Sequence, residues 1–234
     1  MKKHLKIALI TLVSLALLLT AVFYIYVADY YRADNVAIAV MQSEASISVK
    51  DKLIILSPTT PSDTALIFYP GAKVEYFAYL PILEKITQTS GINCILLEMP
   101  FNMAIFDSNA AQGVIEQFPD IQNWYIGGHS MGGAMASDYA SKNPDKVKGL
   151  ILLGAYIYGD YPVENTLTVY GSFNSSVREK INYTENILVI EGGNHAQFGN
   201  YGKQKGDHDA SISRKEQQDI AVEAINDFLL KRKD

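Results

Sequence analysis

The sequence predicts an α/β fold, a mostly parallel central sheet flanked by helices, preceded by an N-terminal transmembrane helix. Three observations carry this. Short runs of Ile, Leu and Val, such as "ALIFYP", "NCILLEMP" and "GLILLGAY", alternate with segments of helical spacing. Runs apolar at consecutive positions mark strands covered on both faces, the environment of a parallel sheet between helices. The first apolar block is far longer than any strand, while the rest of the 234 residues suits one domain with a single buried core.

That first block, "IALITLVSLALLLTAVFYIYV" from Ile7 to Val27, is apolar apart from two threonines and a serine. As a helix it spans roughly 31 Å at about 1.5 Å per residue, close to the thickness of a bilayer's hydrocarbon core. Lys2, Lys3 and Lys6 precede it and Asp29 and Asp34 follow it, so the positive-inside rule puts the N-terminus in the cytoplasm. Tyr24, Tyr26, Tyr30 and Tyr31 suit an aromatic belt at the far interface. The apolar region exceeds the core of a signal peptide and carries no A-x-A site. The reading is therefore a signal anchor over residues 1–28, a juxtamembrane connector over 29–44 and a folded domain over 45–234. That makes a single-pass protein of the cell membrane with its domain outside the cytoplasm; cleavage of the leader would make the domain secreted instead.

Composition narrows the partners. The net charge is −5, and setting aside the three leader lysines leaves −8. An acidic domain without a basic run argues against nucleic acid. The lone cysteine, Cys94, allows no internal disulfide and lies in the apolar run "CILLEM", which suits a buried structural thiol. Oligomeric state is not legible.

Within the domain, "SISVKDKLIILSP" reads as two strands joined by a tight turn near Lys50 to Lys52. "ALIFYP" is a buried strand followed by a helix from Tyr76 to Thr89; "NCILLEMP" is a buried strand followed by a helix from Ala110 to Phe118. "NWYIGG" is a strand and "MGGAMASDYASKN" a helix, after which "GLILLGAY", "TLTVYGS" and "NILVIEGG" supply three more strands. Ser213 with Glu216 forms a capping box for a last helix, whose Ile220, Ala221, Ala224, Ile225, Phe228 and Leu229 recur at helical spacing ahead of the "KRKD" tail.

The strand–helix junction Gly128-His129-Ser130-Met131-Gly132 has the G-x-S-x-G form of a nucleophile elbow. A serine on such a sharp turn sits in strained backbone, and side chains two positions before and after it would collide. Gly128 and Gly132 remove them, and Gly127 and Gly133 let strand and helix approach. A serine hydroxyl needs a base. Of the four histidines, His4 is in the leader, His129 adjoins the serine with its side chain expected to point elsewhere, and His208 is in a polar loop. His195 directly follows the last strand, on the sheet edge where Ser130 emerges, and is the candidate base. The oxyanion donors expected are the backbone N–H of Met131 and that of Ala72 in the loop after "ALIFYP", with Lys73 beside it. "GDHDAS" offers Asp207, His208 and Asp209, but adjacent residues rarely converge on one ion, so no metal and no cofactor is expected.

The motifs "FYPGAKVEYFAYLP", "GGHSMGG" and "EGGNHAQFGNYG" resemble those of the α/β-hydrolase family, specifically its compact, membrane-anchored or secreted bacterial members, over roughly residues 45 to 232. The resemblance implies a serine acyl hydrolase with the chain order Ser, acid, His and no metal. Few residues separate "GLILLGAY" from "TLTVYGS", so the lid domain of many lipases is missing. One position departs from the family. The acid usually follows the strand "TLTVYGS", where this chain has Ser172-Phe173-Asn174-Ser175. Asn174 could orient His195 as a neutral third member; Asp160, after the preceding strand, is the other candidate and is preferred, ahead of Glu164 and Glu179.

Two functions follow as expectations. One is a serine hydrolase, carboxylesterase- or lipase-like, cleaving small acyl esters or lipid-like substrates through a Ser-His-acid triad and an acyl-enzyme intermediate. The alternative is a catalytically weak or inactive hydrolase-fold binding module tethered to the membrane. Tyr76, Phe77, Tyr79, Phe101 and Phe106 are candidates for an apolar acyl pocket.

Overall fold

The computed structural model describes residues 2–42 and 47–232. The chain divides into two units, residues 1–30 and 31–234. In the first, helix α1 (Lys2–Ala28) is long and apolar enough to cross a membrane, a property a signal sequence shares. Both of its threonine hydroxyls bond back within the helix: Thr11 Oγ1 donates to the carbonyl of Ile7 at 3.0 Å and Thr20 Oγ1 to that of Ala16 at 2.9 Å. Such back-bonding suits a helix with no water around it.

The second unit is an eight-stranded sheet in the order β1-β2-β4-β3-β5-β6-β7-β8. Strands β1 (Ile47–Lys50) and β2 (Leu53–Leu56) form the expected hairpin, and β2 runs antiparallel to β4 (Asn93–Leu97). All other pairings, through β3 (Thr64–Tyr69), β5 (Asn123–His129), β6 (Gly149–Leu153), β7 (Thr166–Gly171) and β8 (Ile187–Ile190), are parallel. Successive residues of each strand face opposite sides. On β3, Leu66 and Phe68 enter one core, while Ala65, Ile67 and Tyr69 enter the other. The first face is covered by α3 (Leu80–Ser90) and α7 (Arg214–Leu230), the second by α4 (Ala110–Gln117) and α5 (Met131–Lys142), while the one-turn α6 (Ser175–Arg178) follows β7. Cys94 is buried in the first core, and burial pushes its thiol up to about 12. One half of the capping box is formed, with Ser213 Oγ accepting from the Glu216 N–H at 3.2 Å.

The connector segment holds structure the pattern did not reveal. Helix α2 (Asn35–Gln42) begins at Asp34, whose carboxylate accepts from the N–H groups of Val36 at 3.0 Å and Ala37 at 3.1 Å. Asp34 also pairs with Arg214 at the start of α7, and Tyr31 forms a bridge with Val74. Residues 31–42 thus belong to the same unit as the sheet. The expected boundary at residues 44–45 lies outside the described residues, as do the last two residues of the tail.

Candidate active site

Six parallel strands end on one edge of the sheet, and the loops that leave them carry the candidate residues. Ser130 sits between β5 and α5 with φ 55° and ψ −124°. For a residue with a Cβ, such backbone costs on the order of 1–3 kcal/mol and persists only where its surroundings enforce it. Here the Ser130 N–H donates to the Leu153 carbonyl at 3.0 Å, and its carbonyl accepts from Ala134 at 3.1 Å to start α5. A Cβ on Gly128 would lie 2.6 Å from the Tyr69 carbonyl oxygen; one on Gly132 would overlap the carbonyl oxygens of Tyr69 and Pro70. Lys73, Phe101 and Asn102, in the loops after β3 and β4, also have positive φ. Backbone strain therefore gathers at this edge.

The two residues expected to supply the oxyanion donors lie at the start of α5 and in the loop after β3. Met131 is the first residue of α5, where an N–H has no intrahelical partner. In the loop after β3 the Gly71 N–H is bound by the Tyr79 hydroxyl at 3.1 Å and the Lys73 N–H by the Asn102 carbonyl at 2.8 Å. Ala72 lies between these two committed amides.

His195 follows β8 and lines, with Ser130, a cavity of about 320 Å³. The amide of the buried Asn174 lies 2.7 Å from its Nδ1, and the other amide atom, Oδ1, accepts from Ser176 Oγ at 2.9 Å. With the amide nitrogen toward the ring, Nδ1 is the acceptor and Nε2 holds the proton. With the amide turned over, Oδ1 accepts from Nδ1–H and Nε2 is free to act as a base. The Ser176 hydroxyl can donate or accept, so both orientations keep every hydrogen bond.

Asp160 is not brought to this point. It is exposed and follows Gly159, which packs on Ser141 near the far end of α5. Ser141 is about 16 Å along that helix from Ser130 at about 1.5 Å per residue. After β6 the chain turns back down the helix rather than across to His195, and the place against Nδ1 is taken by Asn174. None of the aromatic residues expected at an acyl pocket lines this cavity. Tyr79 is fully buried in the first core, and the cavity beside Ser130 is lined by other residues, with Phe173 as its aromatic wall. Phe101 and Phe106 are exposed and pack edge to face on each other.

Two residues not singled out as part of the site hold the histidine turn. Asp207, considered above only as a metal ligand, accepts from the N–H of His195 at 3.2 Å and of Ala196 at 2.7 Å. Its neighbour Asp209 instead pairs with Lys203, so the acidic pair diverges. His129 is 1% exposed and points inward. Its Nδ1 lies 2.8 Å from the Tyr79 hydroxyl and its Nε2 3.0 Å from the His195 carbonyl. The His195 carbonyl can only accept, so Nε2–H of His129 donates to it, and Nδ1 of the neutral ring accepts from the Tyr79 hydroxyl. A chain of hydrogen bonds thus joins the loop after β3 to the loop after β8. Burial, and then the nearby His195, holds His129 well below the usual histidine range. Burial also lowers His195, and the Asp207 charge opposes that shift. Nothing in the letters "GHS" announces the relay; for Asp207 the only signal is a carboxylate in a loop near the histidine.

Residues 65–219 match the model of the Alpha/beta hydrolase family, and the chain belongs to that family. Among curated protein sequences none matches it. Of solved structures, an esterase from Pyrobaculum calidifontis is similar at 11% identity and TM-score 0.58, covering 84% of this chain and 89% of that one. Carboxyl esterase 2 from the mycorrhizal fungus Tuber melanosporum has 11% identity and TM-score 0.52, covering 78% and 88%. Dienelactone hydrolase from Anabaena variabilis has 14% identity and TM-score 0.52, covering 80% and 96%. At these identities the likeness shows the fold.

Proposed function

We propose that the chain is a serine hydrolase that cleaves carboxylic esters, held at the outer face of the cell membrane by α1. The observation that carries the reading is the strained Ser130 in one cavity with His195, whose Nδ1 is engaged by Asn174. The esterase names of its structural relatives favour the same chemistry. In the first step Ser130 Oγ bonds to the acyl carbon as its proton passes to His195 Nε2. The oxyanion is held by the N–H groups of Met131 and Ala72. The acyl carbon–oxygen bond then breaks, and the departing alcohol takes the proton from His195. Water repeats the sequence on the acyl-enzyme, releasing the acid and restoring Ser130.

Asn174 orients the imidazole without supplying charge. Asp207, bound to the histidine's own backbone N–H, is the nearby carboxylate that favours the imidazolium. A second reading, an inactive binding module, is favoured by Asn174 itself. In a serine protease, aspartate to asparagine at the third position cost about 10⁴ in turnover.

Labelling of the detergent-solubilised chain with a fluorophosphonate, mapped by mass spectrometry, decides between them. One adduct on Ser130, lost in His195→Ala, is expected of the hydrolase. A folded chain that takes no label is a binding module. Protease accessibility of the domain in intact cells tests its placement outside the cytoplasm.

A further inference from the structure

Resting on the hydrolase reading, we propose that the site takes esters of small, neutral, polyhydroxylated alcohols, with the alcohol seated in the cavity beside His195. The direction comes from the proton. When the acyl carbon–oxygen bond breaks, the departing oxygen must receive the proton that His195 Nε2 carries, so the alcohol lies on the His195 flank of Ser130. That flank is the cavity of about 320 Å³.

Its walls are unusual for a ligand site. Small-molecule pockets are mostly apolar with a few polar groups. This one is lined mostly by polar residues, Ser175, Ser176, Gln204, Lys205, Asp207 and His208, with Phe173 as its aromatic wall. An alkyl or aryl alcohol would strip water from these groups and return no hydrogen bond, at a cost for each group. A polyol donates and accepts at each hydroxyl and replaces the water it displaces. Both signs of charge are present, since Lys205 shares the cavity with Asp207, so the walls offer no one-sign field for a phosphate or carboxylate. The volume corresponds to about ten waters at about 30 Å³ each. That is room for glycerol or one sugar ring. Phe173, 39% exposed, offers a flat apolar face to the carbon side of such a ring.

The test holds the acyl group constant and varies the alcohol. The purified full-length chain in detergent is assayed for kcat/KM on methyl 6-O-acetylglucoside, glycerol monoacetate and hexyl acetate, with fluorophosphonate labelling of Ser130 run in parallel. At least one polyol acetate is expected to exceed hexyl acetate by about tenfold or more, the worth of one or two retained hydrogen bonds. The sugar and glycerol arms distinguish a glycan from a glyceride source. Lys205→Ala and Ser175→Ala, at exposed positions, are expected to shrink the polyol-to-hexyl ratio by several-fold. A labelled, active enzyme that prefers hexyl acetate or shows no preference overturns this inference and leaves the hydrolase reading standing. A folded chain with no label and no turnover of any ester overturns both.

Discussion

Ser130 is positioned by backbone packed against backbone, whereas His195 is positioned by side-chain hydrogen bonds from two loops and the end of β5. On the serine side, Gly128 and Gly132 lie so close to the carbonyls of Tyr69 and Pro70 that no Cβ fits. On the histidine side, Asn174 meets the ring, Asp207 holds the N–H and His129 holds the carbonyl. Rigid backbone contact has no intermediate setting, because a close-packed interior cannot yield by a fraction of a methyl group. Hydrogen-bonded side chains can be exchanged one at a time. Changes on the serine side should therefore act as a switch, and changes on the histidine side as a scale.

The largest effect should come from Gly132→Ala. The added methyl meets two backbone oxygens that have no rotamer to change, so strand β3 or helix α5 must move. A loss above about 3 kcal/mol is expected, beyond the usual range for overpacking. Labelling of Ser130 should vanish along with it. A variant with unchanged thermal midpoint and full labelling would show that the elbow is softer than its geometry implies.

Asn174→Asp comes next, and it should act in the opposite direction. A carboxylate accepts only, so Nδ1 must carry the proton and Nε2 becomes the base at all times. Its charge also favours the imidazolium of the proposed attack by Ser130. Plateau turnover should rise by at least about tenfold, within the about 10⁴ lost by the reverse change in a serine protease. The pH profile sharpens the point. The proposed base His195 acts only when neutral, so kcat/KM is expected to climb as pH rises through its pKa. Burial puts that limb below the usual histidine value, and the new charge should move it up by about one pH unit or more. Asp207→Asn should move it down. A limb that ignores both variants would mean another group titrates there.

This division also explains what the sequence could disclose. Every strand of the sheet, the hairpin, the elbow and the last helix's cap were readable, because apolar runs, glycines and a capping box write their physics into neighbouring letters. Helix α2 was also written, in Asp34 ahead of "NVAIAVMQ", but eight residues carry too little periodicity to stand out. Asp160 against Asn174 was a different problem. Both follow strands of the same sheet, and only the path of the loop after β6, back along α5, separates them. The contacts of Asp207 and His129 bind a backbone N–H and a backbone carbonyl, which any residue possesses. No residue pattern can mark a partner of that kind.

Tyr79→Phe probes the relay between the two sides with a smaller effect. Removing the hydroxyl leaves the Gly71 N–H and His129 Nδ1 without their partner, both buried. A destabilisation of about 1–3 kcal/mol is expected. Because the same hydroxyl orders the loop carrying Ala72, kcat should fall more than KM rises. Loss of stability with kinetics intact would make the relay purely structural.

The smallest effect belongs to the protonation of the relay. His129 is held neutral, with its folded-state pKa well below that of the unfolded chain, near 6.5. Between those two values the unfolded state binds a proton that the folded state refuses, so stability falls as pH drops through about 6.5 and levels off below the folded pKa. Each such group contributes at most about 1.4 kcal/mol per pH unit in that window. His195 is lowered too, but the opposing charge of Asp207 narrows its share. Gln in place of His129 keeps one donor and one acceptor and removes the titration. Thermal midpoints of the solubilised chain at pH 7.5, 6.5 and 5.5 should therefore fall less steeply for His129→Gln than for the parent. Identical slopes would show that the acid sensitivity belongs to another titrating group and that the buried relay is neutral at no cost to folding.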